Sequence, residues 1–403
     1  MGGKDEMKTL ALGAGVALGA AMAVASLAGA PSAKAEEAGT WWPAKVQIFN
    51  PACTDGDPKC WTDPANDAAK LEIVDYVPLM PDQVEKKHNL CVSFPHLKDS
   101  YWVGAAYGII EEGKRLKQKV TLVEAAGYTN LEKQIAQVED CVANCAEALI
   151  IGAISGDGNA KQINEIRKKG VIVVDLINGI NTQVDAKSLE SYYSMGYIAC
   201  KWVADQHPAG SSKKKAAWFP GPPGAGWSVA GDQGCNAAVK GSDAELISTK
   251  WGDTCKEIQL KLVEDVLQAQ TAGGKTDLDY IICVAPAIEA AVSAVRDREL
   301  QKQVKLVSYY YTPGMHMFVG RGQVAMAPTD QMIIQSRIGI DQAIRLLEKK
   351  PFATGGRPEY NNTGRVIEHV QPVPINVTPD NIKEFDATTT LAPDGWTPVF
   401  TVD

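Results

Sequence analysis

From Leu90 onward, short apolar runs alternate with amphipathic stretches long enough to be helices, and beyond residue 200 the alternation starts again. The first series has strand-like runs at Leu90–Phe94, Val120–Val123, Ala148–Gly152 and Val171–Asp175, with helical patterns at Tyr101–Leu116, Leu131–Val142 and Ala160–Lys169 between them. Strands alternating with helices imply right-handed βαβ units and a parallel sheet. Runs this continuously apolar fit a sheet covered on both faces. The second series has strands at Ala216–Phe219, Glu245–Ser248, Tyr280–Val284 and Lys305–Ser308, and helices at Val229–Val239, Ile258–Gln270 and Ile288–Leu300. The chain therefore reads as α/β, with two doubly wound, Rossmann-like parallel-sheet domains. Its 403 residues are more than one core usually organises. Beyond the second series come Val324–Ala327, a strong helical pattern at Asp330–Glu348, and paired apolar runs at Val366–Val370 and Val373–Val377. Such a tail is enough to cross between the halves more than once. The expected division is an N-terminal domain of 89–197 plus about 323–350, and a C-terminal domain of 198–322 plus about 351–403. Residues 36–88, rich in Pro, Asp and Trp, read as an extended arm.

The N-terminus belongs to neither domain. Lys4 and Lys8 precede an almost wholly apolar run from Leu10 to Ala30, and Ala33-Lys34-Ala35 offers small residues where a signal peptidase reads. Residues 1–35 are expected to be an export signal cleaved after about Ala35, which places the mature protein in the periplasm. A retained membrane anchor is the competing reading, since the run is about as long as a span; its Ala and Gly content and small-residue end favour cleavage. Met7 is an alternative start, because Lys8 alone still gives a basic flank.

Export turns close cysteine pairs among the nine into disulfide candidates. Cys53 and Cys60 flank a turn-rich loop and form the first candidate pair; Cys235 and Cys255 form the second. Cys141 and Cys145 bridge only if a helix stops between them. Cys91 and Cys283 lie in strand-like runs and read as buried, inert thiols. No metal site is expected, because none of the five histidines has a cysteine partner at ligand spacing. A formal charge of −8 without a basic stripe argues against nucleic acid or anionic lipid as partner.

In open α/β sheets, ligands sit at the carboxyl ends of strands, and two such domains face one cleft. The strand-end loops are where aromatic residues concentrate: Pro95–Trp102, Glu124–Asn130, Ser191–Tyr197, Pro220–Trp227 and Ser308–Gly314. Aromatic residues are only 7% of the chain. Any one such ring is ordinarily domain packing, but five topologically equivalent loops suggest a cage. Rings facing one cavity suit a methylated ammonium group, each worth roughly 0.5–1 kcal/mol when exposed and about 2 when dry. Sugars also stack on rings but need more polar partners than Asp99, Asn130, Asn178 and Asp330 supply. The Gly221–Gly226 loop lacks the Lys-Ser/Thr of a phosphate loop, and its prolines remove N–H donors; it shapes the approach of Trp227. No nucleophile elbow or His-Glu-x-x-His occurs; His96 lies near Asp99 but reads as a structural loop histidine, and His207 and His316 lack sequence-local partners, so no enzyme activity and no cofactor are expected.

The octet Pro95-His-Leu-Lys-Asp-Ser-Tyr-Trp102, with Glu124-Ala-Ala-Gly-Tyr128, Pro220-Gly-Pro, Ser308-Tyr-Tyr and Asp330-Gln-Met, resembles the ligand-sensing members of the type I periplasmic binding protein family that serve trimethylamine N-oxide reductase systems. The resemblance runs from about Trp41 to the end. It implies a type I periplasmic binding protein fold with three crossovers. It also implies trimethylamine N-oxide, or a related methylated amine, held among rings at Asp99, Tyr101, Trp102, Tyr128 and Tyr310, and a partner in the sensor domain of a membrane histidine kinase. Tyr192 stands where a family member carries Trp, Ala126 and Trp227 where it carries glycine, and the arm from Glu36 to Asn89 is longer. Asp99 either faces the cationic end of the ligand or orients a tyrosine hydroxyl. Delivery of a small solute or sugar to an ABC permease is the alternative role.

Overall fold

The computed structural model describes residues 42–48, 72–358 and 365–403. The expected export segment and the Cys53–Cys60 pair lie outside the described residues. The chain enters through β1 (Ala44–Ile48) and β2 (Glu72–Tyr76), an antiparallel pair. The first alternating series follows as β3 (Asn89–Phe94), α1 (Ser100–Arg115), β4 (Lys119–Glu124), α2 (Leu131–Ala143), β5 (Ala148–Ile151), α3 (Ala160–Lys168) and β6 (Ile172–Ile177), then β7 (Ala186–Leu189). Neighbours among β3 to β7 pair in parallel. All four residues of β5 are buried, as a strand covered on both faces requires.

The second series begins with α4 (Tyr192–Gln206) and β8 (Lys214–Gly221), then α5 (Gly226–Val239), β9 (Ala244–Trp251) and α6 (Lys256–Gln270). A short hairpin, β10 (Thr271–Ala272) with β11 (Lys275–Thr276), precedes β12 (Tyr280–Cys283), α7 (Ala285–Asp297), β13 (Lys305–Ser308) and α8 (Pro313–Gly320). The resulting four-stranded sheet, in the order β13-β12-β8-β9, is parallel throughout. The chain ends through β14 (Ala327–Thr329), α9 (Met332–Leu347), β15 (Arg357–Pro358), β16 (Val366–Ile367), β17 (His369–Pro372), β18 (Ile375–Val377) and β19 (Thr401–Val402).

The tail corrects the expected division. β17 pairs with β1 and β7, and β19 with β4, so both complete a first sheet of nine strands ordered β19-β4-β3-β5-β6-β7-β17-β1-β2. Residues 351–403 are therefore shared between the halves instead of belonging to the second. The described ends of the arm are strands of the first sheet, because Val46 and Ile48 alternate inward onto a small core with Ile334, Ile338 and Val370. The first crossover falls at Glu190 and Ser191, ahead of the expected 197, since α4 packs on α5. The second falls at Asp330, after β14 has paired with β18, and not near 323. The third joins β17 to β18. Backbone and side chain tie the three together: the Ser191 N–H donates to Gln371 Oε1 at 2.9 Å, and Gln331 Nε2 donates to the Val373 carbonyl at 2.7 Å.

The contact of α4 with α5 depends on missing side chains. A Cβ on Gly234 would lie 2.0 Å from the Tyr193 carbonyl oxygen, and one on Gly196 would lie 2.1 Å from that of Gly231. The two backbones are thus in direct contact, and a disulfide between Cys200 and Cys235 clamps them. This overturns the Cys235–Cys255 pairing: the face of α5 that carries Cys235 packs on α4, leaving Cys255 at the start of α6 as a free, partly exposed thiol. Cys91 is likewise bonded, to Cys141 on the helix that covers β3, and Cys145 stays free and exposed. Cys283 is a buried free thiol, as read from the sequence. Gly234→Val is expected to destabilise the protein by about 3 kcal/mol or more, because rigid backbone faces the new side chain; urea unfolding monitored by circular dichroism reads this directly.

Candidate functional site

The carboxyl ends of β3, β4, β8, β9 and β13 converge between the two sheets, and their loops enclose a cavity. Asp99, Tyr101, Trp102, Tyr128, Tyr192, Trp227, Thr254 and Tyr310 line it. It is small, with a volume of about 260 Å³ including its mouth. A ligand of a few heavy atoms fits this closed form; a hexose requires the lobes to part.

Local structure explains how each wall is placed. Asp99 is the N-cap of α1, its Oδ1 accepting the N–H groups of Tyr101 at 3.1 Å and Trp102 at 3.3 Å. That cap fixes both rings in the helix's first turn. Gly152 makes room for Trp102, since a Cβ there would come within 2.5 Å of the indole, and Gly221 does the same for Trp227. The rings then form a continuous network: Tyr101 meets Tyr310 at 5.4 Å, Tyr192 meets Trp227 at 5.4 Å and Tyr128 meets Trp227 at 6.0 Å, in edge-on or tilted arrangements. Such geometries satisfy ring quadrupoles. His96 packs edge-on to Tyr128 and Trp102 as part of the wall's backing.

Two backbone outliers aim the Tyr128 wall. Ala126 has φ +67°, in the left-handed region that favours glycine; its N–H is held by Glu124 Oε2 at 2.8 Å. Ile177, a β-branched residue, also has φ +67°, and the Asn178 N–H reaches back to the Leu176 carbonyl at 2.7 Å. This tight turn is strained for such a side chain. It directs Asn178 Nδ2 to both the Tyr128 hydroxyl, at 3.2 Å, and the Ala153 carbonyl, at 2.7 Å.

Behind the rings sit two acids without a cation. The Tyr192 hydroxyl donates to that of Tyr101 at 3.2 Å, and the Tyr101 hydroxyl donates to Asp330 Oδ2. Asp330 is 1% exposed and its Oδ1 has no partner. Glu190, 5% exposed, has neither side-chain oxygen partnered. Burial pushes Asp330 up to about 6. Burial first, and then repulsion from Asp330, raise Glu190 well above the carboxylate range. Burial, then the charge of Asp330, keep Tyr101 and Tyr192 protonated. Asp99 is raised as well, chiefly by burial. Trp227 Nε1 is a buried donor without a partner, on a ring that lines the cavity. The chamber therefore offers ring faces, one free indole N–H and net negative surroundings.

Asp99 and the rings Tyr101, Trp102, Tyr128, Tyr192, Trp227 and Tyr310 line the cavity, Asp330 stands one hydrogen bond behind it, and Asn130 and Asn178 are not part of its lining. Asp330, and not Asp99, orients a tyrosine hydroxyl. Thr254 was missed because the loop after β9 carries no ring at the cavity, although its strand-end position was the available signal. Glu190 was missed because it becomes significant only when the first crossover is brought against the second. His207 and His316 lie elsewhere, paired with the hydroxyls of Tyr280 at 2.8 Å and Tyr311 at 2.9 Å.

Two α/β lobes with three crossovers around a ring-lined cavity define a solute-binding architecture, and a periplasmic binding protein domain matches residues 90–351. The chain belongs to the periplasmic binding protein family. It is 29% identical to the periplasmic protein TorT of Escherichia coli O157:H7 over 324 residues, 80% of this chain and 86% of that protein. An ABC transporter solute binding protein from Bradyrhizobium sp. BTAi1, solved with bound Bis-Tris, is 44% identical with a TM-score of 0.72, covering 89% of this chain and 98% of its own. A complex of TorT with the TorS sensor domain in the presence of trimethylamine N-oxide matches at 28% identity and a TM-score of 0.67, covering 78% of this chain and all of the matched one.

The acids behind the cage set a pH dependence. The native protein keeps a proton on Asp330 that the unfolded chain, with an ordinary value of 3.8, has lost. Its contribution to stability therefore falls as pH rises from about 4 through 6. The difference in unfolding free energy between wild type and Asp330→Asn should shift in favour of the variant over that range. A pH-independent difference would show that Asp330 titrates normally.

Proposed function

We propose that this protein is exported, with cleavage after about Ala35, and that it binds trimethylamine N-oxide or a closely related small methylated amine among Asp99, Tyr101, Trp102, Tyr128, Tyr192, Trp227 and Tyr310. Asp330 holds Tyr101 from behind. The carrying observation is the cavity itself: five aromatic loops close on a space sized for a few heavy atoms, with no basic side chain in the wall. Methyl groups on a positive nitrogen bring diffuse charge to ring faces. An oxide or hydroxyl on such a ligand is an acceptor for Trp227 Nε1–H, the buried donor left unpaired. The protein binds its ligand and performs no chemistry on it.

The loaded form, on this reading, docks on the sensor domain of a membrane histidine kinase, as supported by the likeness to TorT and to its complex with the TorS sensor domain. One observation favours a second destination, an ABC permease: the 44% identical relative is described as a transporter's binding protein. Direct titration of this protein against the detergent-solubilised kinase and permease, with and without ligand, separates them.

Calorimetry against trimethylamine, its N-oxide, tetramethylammonium, glycine betaine and hexoses should give saturable binding for compact methylated amines and none for hexoses. Trp102→Phe keeps an aromatic side chain at that position and removes half of one wall, and should weaken binding about tenfold, the equivalent of about 1.4 kcal/mol. Unchanged affinity in that variant would remove Trp102 from the site. Ligand should also shift the population toward the closed form about the three crossovers. Solution scattering is expected to show a smaller radius of gyration with saturating ligand; identical profiles would contradict closure.

A further inference from the structure

The Glu190–Asp330 pair has no role in the cage as a wall, yet it sits where the first two crossovers meet. Glu190 directly follows β7, and Asp330 directly follows β14. The titratable groups that act on Asp330 are Tyr101 from α1, through its hydrogen bond, Tyr192 from α4, Tyr309 from the loop after β13, and Glu190 from the first crossover. Those that act on Glu190 are Asp330 and, from the loop after β13, Tyr309. Among the described residues, no lysine, arginine or histidine pairs with either acid. Two carboxyl groups this deep, with three oxygens unpartnered, cannot both stay ionised without a positive charge nearby. The cavity is the place from which such a charge can reach them, because Tyr192 and Tyr101 line it and hand their hydroxyl hydrogen bonds back to Asp330.

We propose that the cavity selects a methylated ammonium cation over a net-neutral N-oxide of the same shape, and that the buried carboxyls of Glu190 and Asp330 behind its wall supply the counter-charge, the cation driving off the proton that one of them retains. In the empty protein the pair holds one proton and one negative charge. With the cation bound, the second carboxyl ionises and its proton goes to solvent: cation and pair sum to zero before binding and to −1 after it, and the released proton carries the balancing positive charge. An N-oxide brings no net charge and leaves the proton in place. Its advantage is one hydrogen bond from Trp227 Nε1, which a cation without an acceptor forgoes. The proposal rests on the amine-binding reading and names the charge state of its ligand.

Tetramethylammonium and trimethylamine N-oxide have the same number of heavy atoms and differ in net charge, which makes them the probes. Binding of each to the full mature chain is measured by calorimetry from pH 6 to pH 8, and proton release is measured in a weakly buffered pH-stat free of amine buffers. The expected result is tighter binding of tetramethylammonium, by about tenfold or more at pH 8, with release of up to one proton. Its affinity should rise with pH by as much as about tenfold per unit, the limit for one proton; the N-oxide should show neither effect. Glu190→Gln should retain saturable binding while the pH slope flattens. Tighter binding of the N-oxide, or tetramethylammonium binding without proton release in the wild type, overturns this inference and leaves the amine-binding reading standing. Failure of both probes and of every other methylated amine overturns both.

Discussion

A buried carboxylate held by a tyrosine hydroxyl is the interaction on which the site depends. Asp330 follows β14 at the second crossover, Tyr101 opens α1 on the first sheet, and Tyr192 opens α4 just beyond the first crossover. One chain of hydrogen bonds therefore joins both crossovers to the wall of the cavity. If Tyr101 turned away, Asp330 would be left wholly unpaired in a dry interior, at a cost of several kcal/mol. That cost holds the ring in place. The same constraint explains why the acids can be buried at all: protonation is the compromise available in the absence of a cation.

The rest of the architecture serves to bring distant loops to this point. Parallel βαβ units deliver the carboxyl ends of strands to a common edge, and two sheets set their edges face to face. Glycines do the final fitting, at Gly152 and Gly221 under the two indoles and at Gly196 and Gly234 where α4 meets α5. The Cys200–Cys235 bond sits on that helix contact, directly beneath the crossover that carries Glu190 and Tyr192. The second lobe can thus move as a body about the crossovers without α4 and α5 sliding past one another.

Much of this was legible in the chain before folding was considered. The alternation of apolar runs with helical patterns marked the eight central strands within a few residues, since buried parallel strands leave a continuous apolar signature. β7, with the sequence Ala-Lys-Ser-Leu, left no such mark, because β6 and β17 supply its stability through pairing and not through its own side chains. α4 was hidden for the opposite reason: with two tyrosines, a glycine and a cysteine facing α5, it is buried on too many sides to look amphipathic. The rings of the site announced themselves by position after strands, whereas Thr254 and Glu190 carry no pattern and matter only through what the crossovers place beside them. Cysteine pairing failed for want of the same information: Cys200 and Cys235 are neighbours only because two helices cross at glycines.

The central claim is that several rings enclose the methyl groups of one small ligand. Proton nuclear magnetic resonance of a methylated amine titrated with this protein tests it most directly, because methyl protons held over aromatic faces are shifted by ring currents. Exchange-averaged methyl resonances should move upfield, and the movement should reverse when an excess of a competing amine with deuterated methyl groups is added. Methyl resonances that keep their free position and width at every protein concentration, for every methylated amine tried, would contradict the account.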